Sequence, residues 1–335
     1  MPRVCVIPGD GIGQEVIPAA VRVLQAAVPG LETIQAEAGW GCFLERGTAV
    51  PPETLAAIRE CGAALFGAVS SPAKKVAGYR SAILTLRQEL DLYANLRPVR
   101  SLPRVSPRGG IDLLVVRENT EGLYVGRERL EDGGETAIAE RVITRRASRR
   151  LAERALALMH GAGRRRLTIV HKANVLPLTD GLFRDTVREA VVRATRAGQA
   201  VEVEELLVDV AALKLASEPE RFDVIITTNL FGDILSDEAS SWCGGLGLAP
   251  SINLGEGVAL AEPVHGSAPD IAGQGIANPI AAILSAALLA RHAWSMEDSA
   301  RRIEQAVERA LEDGLPHGTE AITRSVTGNL CVGEN

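Results

Sequence analysis

The chain has no apolar run long enough to cross a bilayer. Its most apolar stretch, Ile280–Ala290, is short, is broken by Ser285, and reads as a buried helix. The N-terminus shows no charged start followed by an apolar core. The strand-like run Val4–Ile7 begins almost at once, so no signal peptide is expected. The five cysteines (Cys5, Cys42, Cys61, Cys243 and Cys331) are odd in number, scattered and never spaced C-x-x-C. That pattern fits free thiols in a reducing compartment, and a cytoplasmic location is the expectation. The net charge of -6 leaves no basic footprint for nucleic acid. Lysine is scarce: Lys74, Lys75, Lys172 and Lys214 are the only four, so any single arginine is a weak sign of function. No H-E-x-x-H or Cys/His ligand spacing occurs, which disfavours zinc chemistry. A G-x-S-x-G elbow and a P-loop are missing too, which disfavours the corresponding hydrolases and nucleotide hydrolases.

The length of 335 residues exceeds what one core usually serves, and 46% hydrophobic content suffices for two lobes. Short apolar runs alternate with longer segments of helical period. Strands are predicted at Val4–Ile7, Ala63–Phe66, Ile111–Val116, Leu167–Val170, Val201–Leu207 and Val224–Thr227. Helices are predicted at Glu15–Ala27, Pro52–Glu60, Ala147–Met159, Thr179–Thr195 and Asp233–Ser241. The last third reads as helical at Pro279–His292, Met296–Glu312 and Thr319–Asn329. This alternation implies an α/β architecture with a mostly parallel sheet. Ser101–Gly110 and Gly244–Gly257 are rich in Pro or Gly and read as hinges or crossings; Gly122–Glu140 is charged, turn-rich and reads as a hairpin arm.

Five patches carry chemistry. Pro8-Gly9-Asp10-Gly11-Ile12-Gly13 lies between a strand and a helix, but Gln14 breaks the G-x-G-x-x-G fingerprint. A tight turn that needs glycine is the better reading of that run. In Asn229-Leu230-Phe231-Gly232-Asp233-Ile234-Leu235-Ser236-Asp237, Asp233 and Asp237 share one helix face at i, i+4. They would lie beyond the carboxyl end of a parallel strand and suit Mg²⁺ or Mn²⁺, with Asp209 a candidate third carboxylate. The competing reading is a pair of acids soothing a helix N-terminus. Arg87, Arg97 and Arg117 each fall at an element end; if convergent they would grip a di- or tricarboxylate, and otherwise each is a solvated charge. Thr168-Ile169-Val170-His171-Lys172-Ala173-Asn174-Val175 ends a strand in polar groups; Lys172 with Tyr124 could move protons, whereas His171 reads as structural. The loop Glu262-Pro263-Val264-His265-Gly266-Ser267-Ala268-Pro269-Asp270-Ile271-Ala272-Gly273, followed by Ala277-Asn278-Pro279, opens a helix and could face phosphates, with Asp270 accepting from a ribose diol.

Together these patches resemble the β-decarboxylating dehydrogenase family of isocitrate, homoisocitrate, isopropylmalate and tartrate dehydrogenases, over nearly the whole chain. The resemblance implies an isopropylmalate dehydrogenase-like fold, with two α/β domains around a shared active-site cleft rather than an ordinary Rossmann fold. It implies a first domain of residues 1–98 and 252–335, a second of 99–251, and an intersubunit clasp at about 122–140. It implies a homodimer, or a tetramer built from one, whose active sites are shared, with no nucleic-acid or membrane partner. By the same resemblance Ser70, Ser81, Arg87, Arg97 and Arg117 bind substrate, and Asn174 lies near nicotinamide and substrate. Tyr124 is similar to the family's proton donor and Lys172 to the lysine supplied by the partner subunit. Asp233 and Asp237 match metal ligands from one subunit and Asp209 the ligand from the other, for Mg²⁺ or Mn²⁺. Gly266, Ser267, Ala268, Pro269, Asp270 and Asn278 match the adenosine site, and Asp270-Ile271, where NADP users carry Lys-Tyr, implies NAD.

Substrate choice in this family lies in the segment before Arg87, here Gly78-Tyr79-Arg80-Ser81-Ala82-Ile83-Leu84-Thr85-Leu86. The run Gly78-Tyr79-x-Ser81-x-Ile83 and Asp180-Gly181-Leu182-Phe183-Arg184 look most like homoisocitrate dehydrogenases, which yield 2-oxoadipate and CO₂ in lysine synthesis through aminoadipate. Arg80 argues against isopropylmalate, Ile83 and Leu84 argue mildly for it, and Leu84 stands where some homoisocitrate enzymes carry Arg. Isocitrate is the first alternative, then 3-isopropylmalate or tartrate. A non-catalytic regulatory subunit ranks last, because the Tyr, Lys and Asp positions are all filled.

Overall fold

The structure, a computed structural model, describes residues 1–74 and 76–330. Its strands are, in chain order, β1 (Arg3–Gly9), β2 (Glu32–Gln35), β3 (Ala63–Ala68), β4 (Ala94–Arg100), β5 (Asp112–Glu118), β6 (Glu128–Glu131), β7 (Thr136–Ala139), β8 (Arg166–His171), β9 (Glu202–Leu207), β10 (Val224–Thr227), β11 (Pro250–Leu254) and β12 (Ala259–Pro263). The α-helices are α1 (Gly13–Ala27), α2 (Trp40–Arg46), α3 (Pro52–Cys61), α4 (Ala82–Glu89), α5 (Arg145–Ala162), α6 (Thr179–Arg196), α7 (Val208–Ser217), α8 (Asn229–Ser240), α9 (Ile280–Trp294), α10 (Glu297–Asp313) and α11 (Thr319–Leu330). The chain divides into two compact units: residues 1–92, 101–109 and 240–335 form one, and residues 93–100 and 110–239 the other.

In the first unit the strand order is β2-β1-β3-β12-β11. All neighbours are parallel except β11, which runs antiparallel to β12. All six residues of β3, Ala-Ala-Leu-Phe-Gly-Ala, are buried, as expected of a strand covered on both faces. α9 packs on α1, α10, β11 and β12 and is buried continuously from Ile280 to Ala290, as its uniform apolar sequence requires. Among the described residues no helix is long and apolar enough to cross a membrane. Cys5, Cys42, Cys61 and Cys243 are free thiols; Cys331 lies outside the described residues.

In the second unit the order is β4-β5-β10-β8-β9, parallel apart from the antiparallel β4–β5 edge. Thr144 caps α5 by accepting from the Ala147 N–H, and Gly163 ends that helix in the left-handed region. β6 and β7 form an exposed two-stranded ribbon closed at its base by reciprocal Gly122–Val142 backbone bonds. This is the predicted hairpin arm.

Three expectations need correction. The segment Gly244–Gly257, read as a loop, contains strand β11, whose polar residues are buried: Asn253 is fully buried and donates to Leu260 O and to Glu262. Pro250 sits at its first residue, where a missing N–H costs least. Arg97, expected at an element end, is central in β4, a strand whose Pro98 disguised it. The two acids of α8 are not in its first turn, which contains none. Helix-dipole stabilisation therefore does not explain them.

The β1–α1 turn shows why glycine is needed there. Gly9 and Gly11 have φ of +74° and +57°, and a Cβ on Gly9 would lie 2.1 Å from Ala68 O and one on Gly11 2.1 Å from Ser267 O. The glycines serve close backbone packing, and the Ile12 N–H donates to the same Ser267 carbonyl at 2.9 Å. Substituting Gly11 with Ala is expected to destabilise the protein by about 2 kcal/mol or more, combining strain with a backbone clash. A thermal melt checks this: a wild-type Tm for Gly11→Ala would remove the packing explanation of the turn.

Candidate active site

The chemistry of the second unit gathers on one face of α8. β10 ends at Thr227, and α8 begins two residues later, at the carboxyl end of a parallel strand. Asn229, Gly232, Asp233, Ser236 and Asp237 follow at i, i+3, i+4, i+7 and i+8, which is one helical stripe. β5 supplies Arg117 and β4 supplies Arg97. In the antiparallel register Asn95 stands opposite Arg117 and Arg97 opposite Val115, so Asn95, Arg97 and Arg117 share one face of the sheet.

These arginines are not solvated charges. Arg117 is 1% exposed, and Arg87 and Arg97 7% each. Arg117 donates through Nε (3.1 Å) and Nη2 (2.8 Å) to Asn229 Oδ1, and through Nη1 to Asp233 Oδ1. Arg97 donates to Asn95 Oδ1 (2.9 Å), Ser236 Oγ (2.8 Å), Asp237 Oδ1 (2.6 Å) and Asp233 Oδ1 (3.3 Å). Two buried cations are thus matched by two carboxylates, as burial of charge demands. The Tyr124 hydroxyl donates to Asp233 Oδ2 at 2.6 Å, and its ring lies 5.3 Å from the Arg117 guanidinium carbon. Desolvation, with the neighbouring Asp233 charge, holds the Asp237 carboxyl above its usual range against the pull of Arg97.

Lys172 and Asp209 form a separate pair. Lys172 follows β8, Asp209 lies in the first turn of α7, and the ammonium donates to the Asp209 carboxylate, which this bond lowers below the usual range. The Lys172 backbone is fixed by Asp180, a fully buried carboxylate that accepts its N–H at 2.6 Å and pairs with Arg141 at 2.7 Å. Asn174 is exposed in the next turn. His171 accepts the Ala173 N–H through Nδ1 at 3.1 Å, and burial lowers its pKa, so a neutral structural imidazole results. Among the described residues no three His, Cys, Asp or Glu side chains are gathered to hold a metal. Asp233 and Asp237 alone are a two-oxygen, hard-donor fragment that fits Mg²⁺ or Mn²⁺ once a third ligand is supplied.

The first unit carries the other predicted residues. Arg87, in the last turn of α4, donates to Glu262 Oε1 at 2.9 Å; Asn253 holds the same oxygen at 2.8 Å. Ser81 precedes α4, and its hydroxyl makes no capping bond. Ser70 Oγ lies 2.9 Å from Ser267 Oγ, which joins a substrate candidate to the 264–279 loop. In that loop Gly266, Pro269 and Asp270 are exposed, Ala268 has φ +38°, and Asn278 Oδ1 accepts the Ile280 N–H that opens α9. Residues missed at the sequence level include Asp10, whose carboxylate accepts the N–H groups of Trp40, Gly41 and Ser70 at 2.7, 2.9 and 2.9 Å. An acid inside a glycine run was the available signal. Asn229, Asn95 and Ser236 were missed as well; only their spacing from Asp233 or Arg97 marked them.

Beneath the cluster lies a buried acid pair. Glu118 accepts the Thr120 and Glu121 N–H groups, yet burial still raises its pKa. Glu121 accepts the Thr144 N–H and hydroxyl, both at 2.9 Å; desolvation, aided by Glu118, pushes it up to about 7.

The chain belongs to the isocitrate/isopropylmalate dehydrogenase family, whose pattern it matches over residues 3–329. It is 55% identical over 312 residues, 93% of this chain and 91% of the relative, to an isocitrate/homoisocitrate dehydrogenase of Thermus thermophilus. It is 50% identical over 301 residues, 86% of this chain and 84% of the relative, to a homoisocitrate dehydrogenase of Methanocaldococcus jannaschii. Among solved structures, the isocitrate dehydrogenase of Methylococcus capsulatus superposes with a TM-score of 0.93 at 39% identity, covering 98% of this chain and 99% of that one. The protein is a β-decarboxylating dehydrogenase, an oxidoreductase of a family that acts on small hydroxy acids with NAD(P) and a divalent metal.

Glu121 gives the site a pH signature. Its folded pKa of about 7 exceeds the ordinary 4.5, so between those values the native state binds more protons than the unfolded state. Stability therefore falls as pH rises through that window, by up to about 3 kcal/mol. Glu121→Gln keeps the Thr144 N–H bond through its one amide oxygen, meets the Thr144 hydroxyl only by donating to it, and is expected to lose this slope. Urea unfolding at pH 5 and pH 8 checks it; identical slopes in both proteins would contradict the assignment.

Proposed function

We propose that the protein oxidatively decarboxylates homoisocitrate to 2-oxoadipate and CO₂ with NAD, accepts isocitrate as a second substrate, and serves lysine synthesis through aminoadipate. The observation that carries the reading is the α8 face, where two arginines, a tyrosine hydroxyl and two carboxylates converge. When bound, the divalent ion would polarise the C2 oxygen and NAD would accept the hydride. Asp233 and Asp237 would hold that ion, and Asp209 of a second chain would complete it. Arg97 and Arg117 fix substrate carboxylates, using planar forks already aimed by Asn95 and Asn229. Lys172 of the second chain removes the C2 hydroxyl proton. Tyr124 protonates C3 after CO₂ has left.

Sharing the site between chains is supported by what one chain lacks. Asp209 is spent on Lys172, away from Asp233 and Asp237. The second unit exposes large apolar side chains next to these groups: Ile234 (57%), Val175 (63%), Leu178 (85%) and Leu213 (69%). Leu130, 69% exposed, sits on a hairpin that would be marginal without a partner surface. A homodimer covers these surfaces.

Homoisocitrate and isocitrate are favoured over 3-isopropylmalate by the segment before Arg87. Ile83 is partly buried against the first unit's core cluster, which leaves less of it to serve as an apolar contact for a branched substrate. Tyr79 is wedged among Trp40 and Phe43, with ring centroids at 5.0 and 5.2 Å, which holds the segment in place. Ser81 keeps its hydroxyl uncommitted to the helix, suiting a distal carboxylate. The exposed Asp270 carboxylate favours a ribose diol over a 2′-phosphate, hence NAD.

NADH formation with Mg²⁺ or Mn²⁺ tests this, with homoisocitrate, isocitrate, 3-isopropylmalate and tartrate compared under one condition. Homoisocitrate is expected to lead in kcat/KM with isocitrate second, chelation to abolish turnover while NAD binding persists, and NAD to exceed NADP by about tenfold or more. A lead for 3-isopropylmalate would overturn the substrate reading and equal use of NADP the cofactor reading. No turnover with any acid would point to a regulatory subunit.

A further inference from the structure

The geometry points to Asn229 and Gly232 as positioning residues that fix the direction of Arg117, so that the Asn-x-x-Gly-Asp run of α8 is an arginine cradle. This rests on the reading of Arg117 as a substrate-carboxylate arginine.

Arg117 is among the largest fully buried side chains, and the acceptors packed around it set its guanidinium plane. Asn229 Oδ1 takes the side-on edge, Nε and Nη2, which turns the other edge toward Asp233. The amide is itself held the right way round: Nδ2 donates to the Glu121 carbonyl at 3.0 Å, so a flip would face an amino group against the guanidinium. Asparagine near a helix start ordinarily caps its own first turn. Here both ends of the amide are spent on β5 and the Glu121 backbone instead.

Gly232 supplies the space. A Cβ there would stand 2.7 Å from Arg117 Cβ, 2.6 Å from Cγ and 3.2 Å from Cδ, inside the stem rather than at its mobile tip. Glycine within a helix, here the fourth residue of α8, is unfavourable for the helix alone. Its presence is explained by the arginine stem that presses against it. The acceptor is also neutral. An aspartate at 229 would add a third carboxylate to Asp233 and Asp237, against the two cations Arg97 and Arg117, and would repel an anionic substrate.

The test uses the purified enzyme with homoisocitrate and isocitrate, comparing wild type with Asn229→Ala, Gly232→Ala and Arg117→Ala. Asn229→Ala is expected to raise the KM for the acid about tenfold while kcat changes less than about threefold and the KM for NAD is unchanged. Gly232→Ala sets a Cβ against the buried Arg117 stem, so despite its better helix propensity it is expected to lower the Tm and, by displacing Arg117, to raise the same KM while the KM for NAD is unchanged. A wild-type KM in a folded Gly232→Ala overturns the cradle, as does a wild-type KM in Asn229→Ala while Arg117→Ala raises it. An unchanged KM in Arg117→Ala instead overturns the underlying reading of Arg117. If Asn229→Ala or Gly232→Ala does not fold, Asn229→Gln, which keeps a neutral amide but moves it by one methylene, decides by the same KM.

Discussion

Burial of the Arg117 guanidinium is the constraint around which the second unit is arranged. A cation that is 1% exposed cannot be left to solvent, so the elements around it must present acceptors in its plane. That requirement fixes α8 against β5 and spends Asn229 and one oxygen of Asp233. Arg97, one position along the same sheet face, spends Ser236 and Asp237 in the same way. The result is a face in which charge is balanced before any ligand arrives. Incoming carboxylates and a divalent ion would exchange partners within that face, each bringing charge that the other offsets. Preorganisation of this kind lowers the cost of ordering a small anionic substrate.

The same accounting explains why one chain falls short of a metal site. The α8 stripe has room for two acids balanced by two arginines. A third carboxylate on it would be unbalanced in the absence of the ion. Asp209 is stored against Lys172 instead, on a different helix, and Lys172 is in turn held by the buried Asp180–Arg141 pair. On the proposed reading, completion by a second chain would keep each half stable alone and assemble the full charge set only in the oligomer.

β1, β3, β5, β8 and β10 were legible because each holds a short, continuous apolar run, and the acids of α8 because i, i+4 spacing survives any register error; the parallel β2, Glu-Thr-Ile-Gln, and β12 lack so clear a run and were missed. Which arginines are buried was not legible from spacing, and only the family resemblance singled out Arg87, Arg97 and Arg117 as functional. Burial of Arg87, Arg97 and Arg117 depends on partners far along the chain, such as Glu262 for Arg87 and Asp233 for Arg117. β4 was hidden by Pro98, and β11 by glycines at either end and by polar residues whose hydrogen bonds are made only in the folded unit. The glycine run after β1 was read as a tight turn, and that is how the structure uses it. Its glycines admit the Ala68 and Ser267 carbonyls, while Asp10 gathers three N–H groups. Asn229 escaped notice because the helix was expected to begin at Asp233, whereas α8 begins at Asn229 itself, and only the partners of its amide reveal what it does.

The central claim is that the Lys172–Asp209 pair of one chain completes the Asp233–Asp237 face of another. Mixing subunits tests it most directly: Lys172→Ala and Asp237→Asn proteins, each inactive, are unfolded together and refolded. Random pairing places both lesions in one site of each mixed dimer and leaves the other intact, so about a quarter of wild-type activity should return. Activity that stays at the sum of the two parents would mean that each chain builds its site alone.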